Sequence, residues 1–377
     1  MKKDVLSILN GQIGAKRPSK ETLNHPGIIL MATGLDPHKE TRQAFLEAYR
    51  NLGIDIINRV PEKQAPIPTP HGSIQQHDQR YKRGYLGIYD TYTRYQYPYA
   101  DCDDLFDAGV VKLNYDALIT PVPHRLDLNT IRRKTELVGE IGIYYYQLYT
   151  TLFMWGVEEL GWEVFLTAVM TDPEAFDRIF FEPAFKYSQK LLGILIQADI
   201  PFVFIHDDLA DARGPICHPS FYEKYIFPRY AIMCKYIHAQ GKKVIFVADG
   251  NMSKFLPALQ AAGMDGVMIE TPATPLKILL DYFGDGLVIG GIDTKELTFG
   301  TSESIKAHVY DIARCTAGCP GFVLSASGGL HGNIPLENLE AYFDARVQTG
   351  HTRPNWKKLS LADAKDQVKQ LSTPERN

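Results

Sequence analysis

Residues 201–211 read P-F-V-F-I-H-D-D-L-A-D. Phe202, Val203, Phe204 and Ile205 form an unbroken apolar run, as in a strand covered on both faces. His206, Asp207 and Asp208 follow at once, so ionisable chemistry stands at the end of a buried strand. Comparable runs recur at 243–248 (K-V-I-F-V-A), 266–270 (G-V-M-I-E), 287–292 (L-V-I-G-G-I) and 321–326 (G-F-V-L-S-A). Amphipathic segments at 219–239, 253–263, 274–283 and 302–316 separate them, and 335–348 follows the last. Apolar strands alternating with helices imply parallel strands joined by right-handed crossovers. Five such units, each of roughly 25–35 residues, make more than half of an eight-stranded barrel. The expected fold class is therefore α/β, a (β/α)8 TIM barrel.

The N-terminal half is less regular. Strand candidates are Ile28–Met31 and Ile54–Asn58, the second after a helical stretch at 38–51. The apolar segment 141–155 fits either a strand or a buried helix. Residues 60–127 are rich in proline, with tyrosines at 81, 85, 89, 92, 95, 97 and 99, and read as an insertion over the barrel mouth. Residues 1–352 are thus expected to form a single barrel domain. The polar tail 353–377 should be loosely attached, with a helix over 359–370.

Composition sets the outer limits. The 377 residues carry a net charge of −4, which argues against a large nucleic-acid-binding surface. No run is long enough to span a bilayer, and the opening M-K-K-D-V-L-S-I-L-N-G is too short in apolar residues for a signal peptide. Five cysteines without framework spacing fit a reduced cytoplasm, the expected compartment. Cys315 and Cys319 sit one helical turn apart, but without a second pair they read as buried thiols.

In a barrel the chemistry gathers at the C-terminal ends of the strands. Here those ends carry His206-Asp207-Asp208, Asp249-Gly250-Asn251, Glu270-Thr271, Asp293, and Ser325-Ala326-Ser327 with His331 in the next loop. One acidic strand end is often a helix N-cap, a reading that Asp249 and Asp293 share. Four successive strand ends with carboxylates point instead to one active-site rim.

At these residues the chain resembles the uroporphyrinogen decarboxylase superfamily. The resemblance rests on D-D-L-A at 207–210, H-P-S-F-Y…P-R-Y at 218–230, V-I-F-V-A-D-G-N at 244–251, A-G-M-D-G at 262–266, G-G-I-D at 290–293 and P-L-E-N at 335–338. T-L-F-M-W at 151–155 looks like the family's earlier T-L strand. The resemblance covers about residues 140–348 and implies one (β/α)8 barrel, used by porphyrinogen decarboxylases and by cobalamin-linked methyltransferases.

Neither chemistry is intact. The arginine-bearing stretch that holds porphyrinogen carboxylates falls on Met31–Leu35, where no arginine occurs, and Glu62 stands near the place of the catalytic aspartate. The late histidine of that family falls on Gly328. The zinc ligands of the thiol-activating methyltransferases, His-x-Cys and a later Cys, fall on Val247, Asp249 and Gly328. Two readings follow for the remaining polar set. His206, Asp249 and His331 form a rearranged zinc site, or the rim acts without metal as acid and hydrogen-bond partner.

The leading expectation is a methyltransferase of a corrinoid-dependent system. It would move a methyl group from a small O- or N-methylated donor, such as an aromatic methyl ether, to a corrinoid carried by a partner protein. His206, Asp207, Asp249 and His331 are the expected catalytic residues. Asp208, Arg213, Asn251, Glu270, Asp293, Ser327, Tyr146 and Trp155 are the expected substrate contacts, with Tyr144–Tyr146 and Trp155 lining an aromatic pocket. His218 and Cys217, at a helix start, read as structural. The alternatives are a decarboxylase using Glu62 or Asp207 with Arg59 or Arg213, and a non-catalytic small-molecule-binding barrel. The family resemblance also implies a homodimer.

Overall fold

A computed structural model describes residues 2–61 (except 10, 13 and 15), 97–111, 126–356 and 359–371. The strands are β1 (Leu23–Asn24), β2 (Ile56–Ile57), β3 (Ile143–Tyr144), β4 (Gln147–Leu148), β5 (Phe202–His206), β6 (Ala210–Asp211), β7 (Gly214–Pro215), β8 (Lys243–Ala248), β9 (Gly266–Ile269), β10 (Leu287–Ile292), β11 (Phe322–Ala326) and β12 (Leu330–His331). A six-stranded parallel sheet runs β11-β10-β9-β8-β5-β4. All five apolar runs of the C-terminal half are strands within it.

The ring closes through the N-terminal residues. Ser19 bridges Leu324 of β11 and Lys20 bridges Ile56 of β2, both in parallel. The Lys20 amide donates to the Leu324 carbonyl at 3.1 Å, and the Ile56 amide donates to the Ser19 carbonyl at 3.1 Å. β2 pairs with β3, and the continuous run 143–148 hands on through β4 to β5. Residues 19–24 are therefore the first stave of an eight-stave barrel, extended by the pairing of β1 with β12.

This corrects the expectation for Ile28–Met31. Those residues lie in a helix, Pro26–Thr33, which starts on Pro26 and takes a cap from the His25 ring. The segment 141–155 is strand first and helix after: Phe153 opens the helix Phe153–Thr171, so T-L-F-M-W is a helix start.

Side chains alternate between two cores, as the period of a strand requires. Tyr145, Phe202, Phe204, Ile245, Ile289 and Val323 fill the barrel interior, joined by Val5 and Ile8 of the helix Lys2–Leu9. Tyr145 stacks on Phe204 with centroids 4.0 Å apart. The alternate residues, such as Val203, Ile205, Phe246 and Leu324, pack in the larger core with the outer helices. At the upper end of the interior the apolar layer stops, and the same alternation brings polar residues inward.

Of the insertion's tyrosines only Tyr97 and Tyr99 lie within the described residues. The Tyr97 ring packs against Gly161, where the helix Phe153–Thr171 breaks at φ 77°. Glu62 and the other tyrosines lie outside those residues. The tail is docked where it is described. Ala364 is fully buried, Lys365 pairs with Glu337 at 2.9 Å, and Trp356 meets Phe343 edge-on.

Candidate active site

β5 and β8 set the centre of the site. Counting alternate residues inward, Phe202 and Phe204 lead to His206, and Ile245 and Val247 lead to Asp249. The next loop is fixed by Gly250 (φ 79°), where a Cβ would lie 2.4 Å from the Ala210 carbonyl oxygen. Only glycine allows that approach. It brings the end of β8 against the hairpin of β6 and β7.

His206 is 4 % exposed, and both ring nitrogens are engaged. Nδ1 lies 2.5 Å from the Tyr149 carbonyl and Nε2 lies 3.2 Å from Asp208 Oδ1. Both partners are acceptors, so both nitrogens carry protons and the ring is a cation. Burial opposes this charge, but the Asp208 carboxylate, with help from Asp249 and the Tyr149 carbonyl, outweighs it and raises the pKa to about 9. Burial would likewise raise Asp208. The His206 charge and the Asp249 amide, which donates to Asp208 Oδ1 at 2.8 Å, instead hold it below the usual carboxylate range.

Asp249 behaves oppositely. Solvent reaches it through the cavity, yet protein surrounds it closely enough that burial, with the Asp208 and Glu270 carboxylates, raises its pKa to about 6. Glu270 faces the same space and accepts from the Gly250 amide at 3.2 Å. These carboxylates open onto a cavity of about 460 Å³, lined also by Met154, Trp162 and Ile216. An ion pair and a carboxyl with its pKa raised to about 6 thus share a half-apolar hollow, an arrangement suited to proton transfer near neutral pH.

His206, Asp208, Asp249 and Glu270 are therefore brought together, and other expected residues are not. Asp207 is fully buried and accepts from the amides of Leu152 (2.6 Å), Phe153 (3.2 Å) and Met154 (2.9 Å) and from the Tyr230 hydroxyl (2.7 Å). It anchors the start of the helix Phe153–Thr171, a structural role in place of the expected catalytic one. Arg213 projects into solvent, paired with Asp211 at 2.7 Å. Asn251 bonds Ser253 within a turn, and Asp293 caps the helix Thr294–Phe299 through the Lys295 amide. Ser327 ties its loop to Thr271.

Tyr146 packs against the outer core, and Trp155 is fully buried, bonding Ser188 at 3.3 Å. Neither lines the cavity; Trp162 and Met154 take that place. His331 sits opposite Asn24 in the β1–β12 register, with Nδ1 accepting from the Asn333 amide. Burial lowers its pKa. The residues do not fit the rearranged zinc site. His206 Nε2 is taken up by Asp208, and among the described residues no three His, Cys, Asp or Glu side chains are grouped to hold a metal ion.

The first stave supplies what the sequence reading missed. Lys20 is buried in the interior, donating to Thr22 Oγ1 at 3.0 Å, and Arg59 donates to Asn24 Oδ1. Lys20, Thr22 and Asn24 alternate on one face, a signal present in S-K-E-T-L-N once it is taken as a strand.

A sequence model of the family described as uroporphyrinogen decarboxylase (URO-D) matches residues 150–348, more than half of the sequence. The chain belongs to the uroporphyrinogen decarboxylase family. Among curated relatives, the uroporphyrinogen decarboxylase of Geotalea uraniireducens is 26 % identical over 239 residues, 61 % of this chain and 67 % of the relative. That of Trichlorobacter lovleyi is 24 % identical over 241 residues, 63 % of this chain and 68 % of the relative. A solved structure, a methyltransferase from Methanosarcina mazei, superposes with a TM-score of 0.64 at 16 % identity, covering 92 % of this chain and 98 % of that one. This likeness shows the fold alone, and it reaches beyond the matched residues into the N-terminal half. Among the described residues, no helix is long and apolar enough to cross a membrane.

Proposed function

We propose that this URO-D family barrel is the donor-side methyltransferase of a corrinoid-dependent system. It takes a methyl group from a small O- or N-methylated compound, such as an aromatic methyl ether. The observation that carries this reading is Asp249: a carboxyl with its pKa raised to about 6, facing a cavity walled by Trp162, Met154 and Ile216. When bound, a reduced corrinoid carried by a partner protein would supply the nucleophile that accepts the methyl group.

The chain's own task is the leaving group. An unassisted phenoxide or amine leaves slowly, and proton donation contributes about two to four powers of ten. As the methyl–oxygen bond breaks, the bonding pair stays on oxygen, which takes the Asp249 proton and leaves as the phenol. The methyl carbon passes to the acceptor. The adjacent His206 cation offsets the negative charge left on Asp249, and water entering the cavity restores the proton. Trp162 and Met154 hold the apolar body of the donor.

One observation favours a second reading, decarboxylation. Lys20 and Arg59 are cations beside the same interior and suit a carboxylate substrate. Asp249 would then protonate the carbanion left by CO2. Incubating the protein with methoxylated aromatic acids, with and without a reduced corrinoid protein, separates the two. Phenol release only with the acceptor present supports methyl transfer. CO2 release without it supports decarboxylation, and binding without either product leaves a non-catalytic binder.

A further inference from the structure

Lys20 is 4 % exposed, lies on the inward face of the first stave, and makes one hydrogen bond among the described residues, to the neutral Thr22 hydroxyl. No carboxylate there lies within ion-pair distance of its ammonium. Glu21, next in sequence, bonds Tyr342 and the Ala326 amide. A buried cation is costly unless an anion meets it.

Two further groups point to the same place. Tyr145 is fully buried in the interior, and its hydroxyl has no hydrogen-bond partner among the described residues. The side-chain oxygen of Asn58, two residues beyond the inward Ile56, is buried and equally unpartnered. Tyr145 and Lys20 both feel the charge of Arg59, and Lys20 also feels Asp249. An unmet hydroxyl donor and an unmet cation in one interior describe a site completed by an anion, in which the Asn58 oxygen, an acceptor, takes no part.

We propose that Lys20, with the Tyr145 hydroxyl and Arg59, forms an anion site inside the barrel that takes an organic carboxylate, so that the methyl donor is a methoxylated aromatic acid. The carboxylate accepts from the Lys20 ammonium and the Tyr145 hydroxyl. The methoxy group then lies toward Asp249, whose charge reaches Lys20. The identity of the donor rests on the methyl-transfer reading above, but the anion site does not need it.

Calorimetry without any methyl acceptor tests the site, so its failure is distinct from failure of methyl transfer. The probes are 4-methoxybenzoate and the neutral 4-methoxybenzamide. The wild-type chain is expected to bind the acid at least tenfold more tightly than the amide. Lys20→Met should abolish that preference while keeping its thermal midpoint, because it removes an unpaired buried charge. Tyr145→Phe should reduce the preference several-fold and retain the fold. Equal affinities of wild type for the two probes, no binding of either, or a preference that survives Lys20→Met would overturn the proposal.

Discussion

Two aspartates at neighbouring strand ends, Asp207 after β5 and Asp249 after β8, do opposite work, and their surroundings decide which. Asp207 faces only donors, the four consecutive amides of Thr151, Leu152, Phe153 and Met154 at a helix start and the Tyr230 hydroxyl, and meets no solvent. Asp207→Asn places an NH2 group among donors and should cost about 2–4 kcal/mol, read by urea denaturation. An unchanged midpoint would refute the anchoring role. Asp249 is the proposed proton donor. Its acid form is needed and its pKa is raised to about 6, so methyl transfer should fall as pH rises through that value. Asp249→Asn should lower the turnover rate by about 10²–10⁴ and remove that limb of the profile, as pH–rate curves of the two proteins with a methoxylated donor would show. Sequence spacing placed both aspartates at a strand end. Only the direction of each side chain separates an anchor from an acid, and alternation along β5 puts His206 and Asp208 inward with Asp207 between them.

The elements of the C-terminal half were legible because each strand is apolar on both faces and bounded by turn residues. The first stave was not. S-K-E-T-L-N carries Lys20, Thr22 and Asn24 on its inner face, where hydrogen-bonded polar side chains replace apolar filling. On its outer face Glu21 is fully buried against Tyr342. Polar on both faces, it has no strand signature, and the apolar Ile28–Met31 beside it is a buried helix instead. The aromatic cavity wall was misplaced for a related reason: Trp155 and Trp162 lie on one helix broken at Gly161, and the break decides which indole faces the hollow. The Glu21–Tyr342 contact locks the first stave to the helix Leu336–Val347. Tyr342→Phe leaves the buried carboxylate short of a donor and should cost about 1–3 kcal/mol in chemical denaturation. An unchanged stability would mean the contact does not hold the stave.

As a whole, the molecule is a barrel with an apolar interior at one end and a charged one at the other. That charge makes stability depend on pH. The His206 pKa rises from 6.5 to about 9 on folding, so its contribution is complete below 6.5 and is lost as pH rises through about 9. Thermal midpoints should therefore fall between those limits in the wild type. In Asp208→Asn, which lacks the counter-charge, they should fall less; parallel curves would refute the ion pair as the cause. The most direct test of the account is the titration of Asp249 itself, followed by carboxyl 13C NMR on aspartate-labelled protein and assigned by the signal missing from Asp249→Asn. The account predicts a midpoint near pH 6 for that carboxyl in the unliganded protein. A midpoint at or below the ordinary aspartate value of about 4 would contradict it.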